Sequence, residues 1–269
     1  MEYDPIKNKL GIFFNKSPFL RKTFYGLLDL LLLRTWHIHK QLDNWSRELG
    51  TKNAKILDAG MGFGQYSYWM ASKHPDWNIL GVDVKDEQIE DCRQFFKKVG
   101  LNNAAFGYAD LTAFSHPDSY DLALSVDVME HILEDVTVFK NIYASLHTGG
   151  MLLISTPSDQ GGSDVEEGSG ESFIGEHVRN GYNINEIQDK LKTAGFSKIE
   201  AKYSYGKPGH ISWVLSMKYP MKMLSASKAL LIILPFYYLI TFPFALILNA
   251  MDRDGNHKTG TGLIVKAWK

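Results

Sequence analysis

The stretch Ile56-Leu57-Asp58-Ala59-Gly60-Met61-Gly62-Phe63-Gly64-Gln65 decides how this chain is read. An apolar strand runs into Asp-x-Gly-x-Gly-x-Gly, and a helical pattern follows from Gln65 to Lys73. Glycines let backbone amides approach a ligand closely in a tight turn, and a helix N-terminus favours negative charge. The dinucleotide fingerprint Gly-x-Gly-x-x-Gly would need glycine at position 65, where Gln65 stands. Asp58, two residues before the first glycine, suits a cationic group on a ligand better than a pyrophosphate. A glycine-rich turn with no ligand has the same local pattern, so the flanking chain must decide.

Outward from this turn, short β-rich runs at 54–59, 77–84, 104–109, 120–126 and 150–156 alternate with helical patterns. The helices are expected over Gln65–Lys73, Glu87–Val99 and Glu134–Leu146, with a shorter, less regular one over Leu111–Ser119. Such alternation predicts a parallel sheet covered on both faces. A helix over Asn185–Ala194 and strands at 196–205 and 262–268 complete the pattern. The loop 157–176 carries five glycines and six acids between Asp159 and Glu176, and it reads as a lid that excludes water.

Two more acids end strands. Asp83 closes the second, about 20 residues after the glycines, where a carboxylate can accept from both ribose hydroxyls. Asp110 closes the third. Either alone reads as a solvated loop residue or helix cap. Three acids at the carboxyl ends of successive strands face one crevice.

With these motifs in place, residues 54–205 resemble the class I S-adenosylmethionine-dependent methyltransferases of the type 11/12 kind. The resemblance implies an α/β fold, a Rossmann-like seven-stranded doubly wound sheet with its last strand antiparallel. It implies S-adenosylmethionine as cofactor, with Asp58, Gly60, Gly62 and Gly64 at its methionine end. Asp83 would take the ribose and Asp110 the adenine amine. Val84 and Leu111 would flank the adenine, and Ser125 would lie beside the cofactor.

Asp127-x-x-Glu130-His131 follows the fourth strand. Histidine titrates near neutrality, so His131 is a candidate base. Asp127, Glu130 and His131 are also candidate ligands for a divalent metal. The ubiquinone-biosynthesis O-methyltransferases carry a similar acid-x-x-Glu-His run and are linked to magnesium. Glu-His also occurs in relatives that need no metal, and there it shapes the following helix. In related methyltransferases a segment like Glu176–Tyr182 borders the substrate pocket. His177 is then a second base, with Arg179 and Tyr182 on the substrate. Arg179 paired with an acid of the neighbouring loop is the competing reading. Trp36-His37-Ile38-His39 reads as structural, because histidines two apart point to different helix faces.

The 269 residues carry 29 Lys+Arg against 30 Asp+Glu, which rules out the basic footprint of a nucleic-acid binder. The fourth strand also leads into Val-Asp-Val-Met-Glu-His, where amino-methylating DNA enzymes show Pro-Pro-Tyr. The single cysteine, Cys92, permits no internal disulfide, and no secretory signal is read at the N-terminus. A cytoplasmic protein, peripheral to the inner face of a membrane, is expected.

The membrane part of that expectation comes from Ala229–Met251, 23 residues without a charge. The run lies between the last two strands of one sheet, so a single crossing would put sheet partners on opposite sides of a membrane. Pro235 and Pro243 are expected to break a straight helix. Lys218, Lys222 and Lys228 precede the run, and Tyr237, Tyr238 and Phe242 lie in it, as in interfacial anchors. The segment Pro18–Lys40 reads as a companion helix. The chain divides into an N-terminal helical extension (1–50), a core (51–206), an apolar insertion (207–260) and the core's last strand (261–269).

The expected activity is methyl transfer to a small lipophilic acceptor at a membrane surface, with oxygen favoured as acceptor atom. Two competing readings remain. One is a methyltransferase of a soluble metabolite or sugar, with the insertion as a homodimer interface. The other is a non-catalytic membrane-binding module on the same fold.

Overall fold

The structure, a computed structural model, describes residues 17–50, 53–161 and 178–269. Its strands are β1 (Lys55–Ala59), β2 (Asn78–Asp83), β3 (Ala104–Tyr108), β4 (Tyr120–Val126), β5 (Leu146–Pro157), β6 (Lys198–Ser204) and β7 (Gly262–Trp268). They form one sheet in the order β3-β2-β1-β4-β5-β7-β6. β1 pairs in parallel with both β2 and β4, so the strand order reverses there and a crevice opens at their carboxyl ends. β7 lies antiparallel between β5 and β6, as the family resemblance implies.

Residues of the central strands are apolar on both faces, and each face has its own core. Leu57, Ala59, Ala123 and Leu152 pack with Phe139 on one side. Ile56, Leu122 and Leu124 pack with Met70 and Phe96 on the other. The covering helices are α3 (Gln65–Lys73), α4 (Asp86–Val99), α5 (Asp135–Ser145) and α6 (Ile184–Ala194). Residues 111–119 form turns and no helix, which corrects the expectation there. Pro117 lacks a backbone donor and Asp118 adopts a left-handed φ of 44°, and both oppose helix.

The N-terminal segment forms two helices in place of one, α1 (Pro18–Leu31) and α2 (Leu33–Leu49), separated by extended Leu32. Ser17 caps the first by accepting from the Leu20 amide at 3.2 Å.

The insertion is a helical hairpin. It runs through α7 (Lys207–Trp213), a π turn (Val214–Lys218), α8 (Tyr219–Ala226), a 3-10 turn (Lys228–Ile232) and α9 (Leu234–Asp254). Ser212 donates to the Ala245 carbonyl (3.1 Å), and the hydroxyls of Tyr237 and Tyr238 donate to the carbonyls of Leu215 and Ser216. Neither proline breaks α9, contrary to expectation. Pro235 occupies the first turn, where its missing N–H has no helical partner anyway. Pro243 sits inside the helix on its outward face, and the helix continues past it.

Asp252, fully buried, ties the hairpin to the extension. His37 Nε2 of α2 lies 2.9 Å from its carboxylate, and the amides of Tyr205 and Gly209 donate to it at 3.1 Å. His39 stacks on Trp69 at 4.1 Å, so both histidines of the Trp36–His39 run are structural, as read. Ser204 and Gly262 are register partners, so the hairpin leaves and re-enters the sheet at one edge.

Candidate functional site

The loop after β1 holds Gly60, Gly62 and Gly64 at φ of 80°, 52° and 71°, a region that L side chains rarely adopt. The three serve different ends. A Cβ on Gly60 would meet Val128 Cγ2 at 2.4 Å, and one on Gly64 would meet Cys92 Sγ at 2.8 Å. In front of Gly62 nothing lies nearer than Gln88 Oε1 at 3.9 Å, so the loop is open there.

Asp83 holds this loop. The Gly62 amide donates to Oδ2 (2.9 Å) and the Lys85 amide to Oδ1 (3.0 Å). Asp58, at the end of β1, is buried and accepts from Ser67 Oγ at 2.6 Å. Burial pushes its carboxyl up to about 6, against the bonds from Ser67. Asp110 is exposed and accepts from the Thr112 hydroxyl (2.7 Å) and amide (2.9 Å), which hold it below the usual carboxylate value. Val84 is 55% exposed, whereas Leu111 is buried in the core and offers a ligand little surface. Ser125, at the end of β4, is buried, and its hydroxyl meets no hydrogen-bond partner among the described residues. A native buried hydroxyl without a partner calls for one.

Past β4 the chain turns sharply, with Asp127 at φ 53°. Asp127 pairs with Arg34 from α2. Glu130 is buried and accepts from Thr156 Oγ1 at 3.0 Å, and burial pushes its carboxyl up to about 7. His131 is half-buried at the crevice edge. The three candidate metal ligands therefore do not converge, and no metal-ligating cluster occurs among the described residues.

His177 lies outside the described residues. Arg179 and Tyr182, read from the sequence as substrate contacts, both turn toward Asp135. Arg179 pairs with Asp135 and donates to the Ile132 carbonyl at 2.7 Å. Tyr182 is fully buried and its hydroxyl donates to Asp135 at 2.7 Å. Lys190 reaches the same carboxylate at 2.8 Å. Burial raises Asp135, but these partners outweigh it and hold the group below its usual value. Asp135→Ala is expected to strand two cations and cost about 3 kcal/mol. Thermal melting should drop by about 6–12 °C, with cofactor affinity unchanged.

The sequence reading missed the grip of α1 on the glycine loop. Arg21, buried, donates from its guanidinium to the Phe63 carbonyl (2.9 Å) and to the Asp91 carbonyl (3.0 Å), and Tyr25 also bonds Phe63. Asp29 accepts from Gln65 at 2.7 Å. The signal was available: Arg21, Tyr25 and Asp29 are spaced i, i+4, i+8, one polar stripe on an apolar helix.

A family model described as a methyltransferase domain matches residues 50–206, more than half of the chain. The chain belongs to the class I methyltransferase family. Phosphoethanolamine N-methyltransferase 1 of Zea mays is 29% identical to it over 153 residues, covering 55% of this chain and 29% of that protein. A sterol 24-C-methyltransferase of Aspergillus fumigatus is 24% identical over 176 residues, covering 62% and 46%. The match thus spans less than half the length of either relative. Among solved structures, Haemonchus contortus phosphoethanolamine N-methyltransferase 2 in complex with S-adenosyl-L-methionine superposes with a TM-score of 0.58. It is 20% identical and covers 86% of this chain and 52% of that one. That likeness shows the fold of the methyltransferase.

Proposed function

We propose that this methyltransferase transfers the methyl group of S-adenosylmethionine to a small lipophilic acceptor met at a membrane surface. The observation that carries the cofactor is the partnerless buried hydroxyl of Ser125 on β4, the strand paired with β1, whose following loop is open at Gly62, at the point where the strand order reverses. When bound, the cofactor supplies a methyl group on a sulfonium, which a nucleophile displaces directly. Asp58 would face its ammonium and Asp83 its ribose hydroxyls. Asp110 would accept from the adenine amine, with Val84 against the ring.

The protein's task is then to align the acceptor with that methyl and to take its proton where it has one. A hydroxyl acceptor needs a base, and His131 at the crevice mouth would be it. An amine acceptor is the second reading, favoured by the names of the Zea mays and Haemonchus contortus relatives. The exposed apolar insertion on the same edge of the sheet favours a lipophilic molecule over a soluble one. A cytoplasmic-face location follows from the same reading, and the free, buried thiol of Cys92 suits a reducing compartment.

Calorimetry with S-adenosylhomocysteine tests the cofactor, and no binding at millimolar ligand would sink the reading. The pH dependence has a definite sign. Asp58 must be ionised to meet an ammonium, and its carboxyl titrates at about 6 in the free protein. Affinity should hold from pH 8 to 7 and fall by up to about tenfold per unit below pH 6. In Asp58→Asn the affinity should be weaker and flat over the same range.

A further inference from the structure

The polarity of α9 is inverted. In a soluble protein the large apolar residues of a helix face the core. Here Phe236, Leu239, Ile240, Phe244, Ile247 and Met251, spaced on one helical face, are each 56–75% exposed. The opposite face carries Tyr238, Thr241, Ala245, Asn249 and Asp252, and it packs inward. The outward stripe runs about 22 Å along the helix at 1.5 Å per residue, and at the hairpin tip Ile232 extends it, 75% exposed. An apolar patch of this extent marks an interaction surface.

Charge identifies what covers it. Between Glu200 and Asp252 there is no acid at all, while Lys202, Lys207, Lys218, Lys222 and Lys228 all fall in that interval. The rest of the chain therefore carries the acidic excess, because the whole has a net charge of −1. A lysine-only segment beside an apolar stripe complements an anionic lipid surface. A second copy of the segment would set lysines against lysines. α9 is the one helix among the described residues that is long and apolar enough to cross a membrane. Crossing is excluded because Ser204 and Gly262, on either side of the hairpin, pair in one sheet.

We infer that the hairpin 207–254 is a monotopic anchor, with the outer face of α9 sunk into one leaflet of an anionic bilayer. The anchor also fixes the orientation of the enzyme. β6 runs parallel to β5, so the hairpin springs from the same carboxyl edge that holds the crevice. Asp252 joins α9 to His37 of α2, and Arg34 of the same helix pairs with Asp127 at the crevice. The leaflet is thereby held beside the site, and a lipophilic acceptor enters from it. This last point rests on the function proposed above. The anchor itself does not.

The test is flotation of the full chain with vesicles of phosphatidylcholine alone or with 30 mol% phosphatidylglycerol, a composition chosen as a plain anionic surface (about 1 kcal/mol per surface lysine). The chain should float with the anionic vesicles and far less with the neutral ones. Lys218→Gln/Lys222→Gln should weaken the anionic binding about 25-fold, near fivefold per lysine. Leu239→Glu/Phe244→Glu should abolish flotation while circular dichroism and S-adenosylhomocysteine affinity stay unchanged. Equal flotation with both vesicle types would overturn the anionic preference. A chain that stays at the bottom as a dimer, which the Glu variant splits, would overturn the anchor in favour of a protein interface. A monomer that stays at the bottom overturns it as well. Flotation without S-adenosylhomocysteine binding would leave the anchor standing and remove the function proposed above.

Discussion

Asp83→Ala is expected to weaken S-adenosylhomocysteine binding about 1000-fold, with the fold intact. Two losses combine. A carboxylate that accepts from two ribose hydroxyls makes two charge-assisted bonds, each worth about 1.5–3 kcal/mol. Together they amount to roughly 4 kcal/mol, or three orders of magnitude in affinity. The same carboxylate also holds the amides of Gly62 and Lys85, so its removal loosens the turn that faces the ligand. Asp83→Asn keeps one acceptor oxygen and should fall between the two. Calorimetry on the three proteins gives the ranking. A loss of less than threefold in the alanine variant would show that the ribose is held elsewhere.

His131→Ala is expected to lower kcat about 100-fold on a hydroxyl acceptor and less than about fivefold on an amine, the difference a positioned base makes. The paired measurement therefore reports the acceptor atom as well as the base. Labelled-cofactor turnover on a lipid extract, followed by mass spectrometry of the product, identifies the acceptor first. His177→Ala is the control, since that residue was an equal candidate in the sequence. If His177→Ala produces the larger loss on the hydroxyl acceptor, the proton goes to that residue. Neither substitution should move the affinity for S-adenosylhomocysteine.

The core was legible because it obeys local rules. β4 (Tyr120–Val126), α3 and β7 have the expected bounds, each being an apolar run or a periodic helix closed by turn residues. The placement of Asp58, Asp83 and Asp110 at or just past strand ends was legible because strand ends are easily located. What failed was side-chain direction. Arg179 and Tyr182 were read as substrate contacts from a motif, yet Asp135, more than 40 positions away, draws both into a buried cluster. Asp127, Glu130 and His131 are close in sequence, but a left-handed turn and burial of Glu130 send them apart. The segment Pro18–Lys40 was read only as a companion helix, and the bonds of Arg21 and Tyr25 to the Phe63 carbonyl lie on a polar stripe within it.

The pairing of Ser204 with Gly262 has an evolutionary consequence. In chain terms the whole hairpin is the turn of a β-ribbon, enlarged without disturbing the strands that carry it. Such a turn can be gained, lost or exchanged between lineages while the catalytic sheet keeps its register. A surface carried on this turn is therefore separable from the chemistry of the sheet. Asp252 sets the limit on that freedom, since any exchange must supply a new partner for the buried His37.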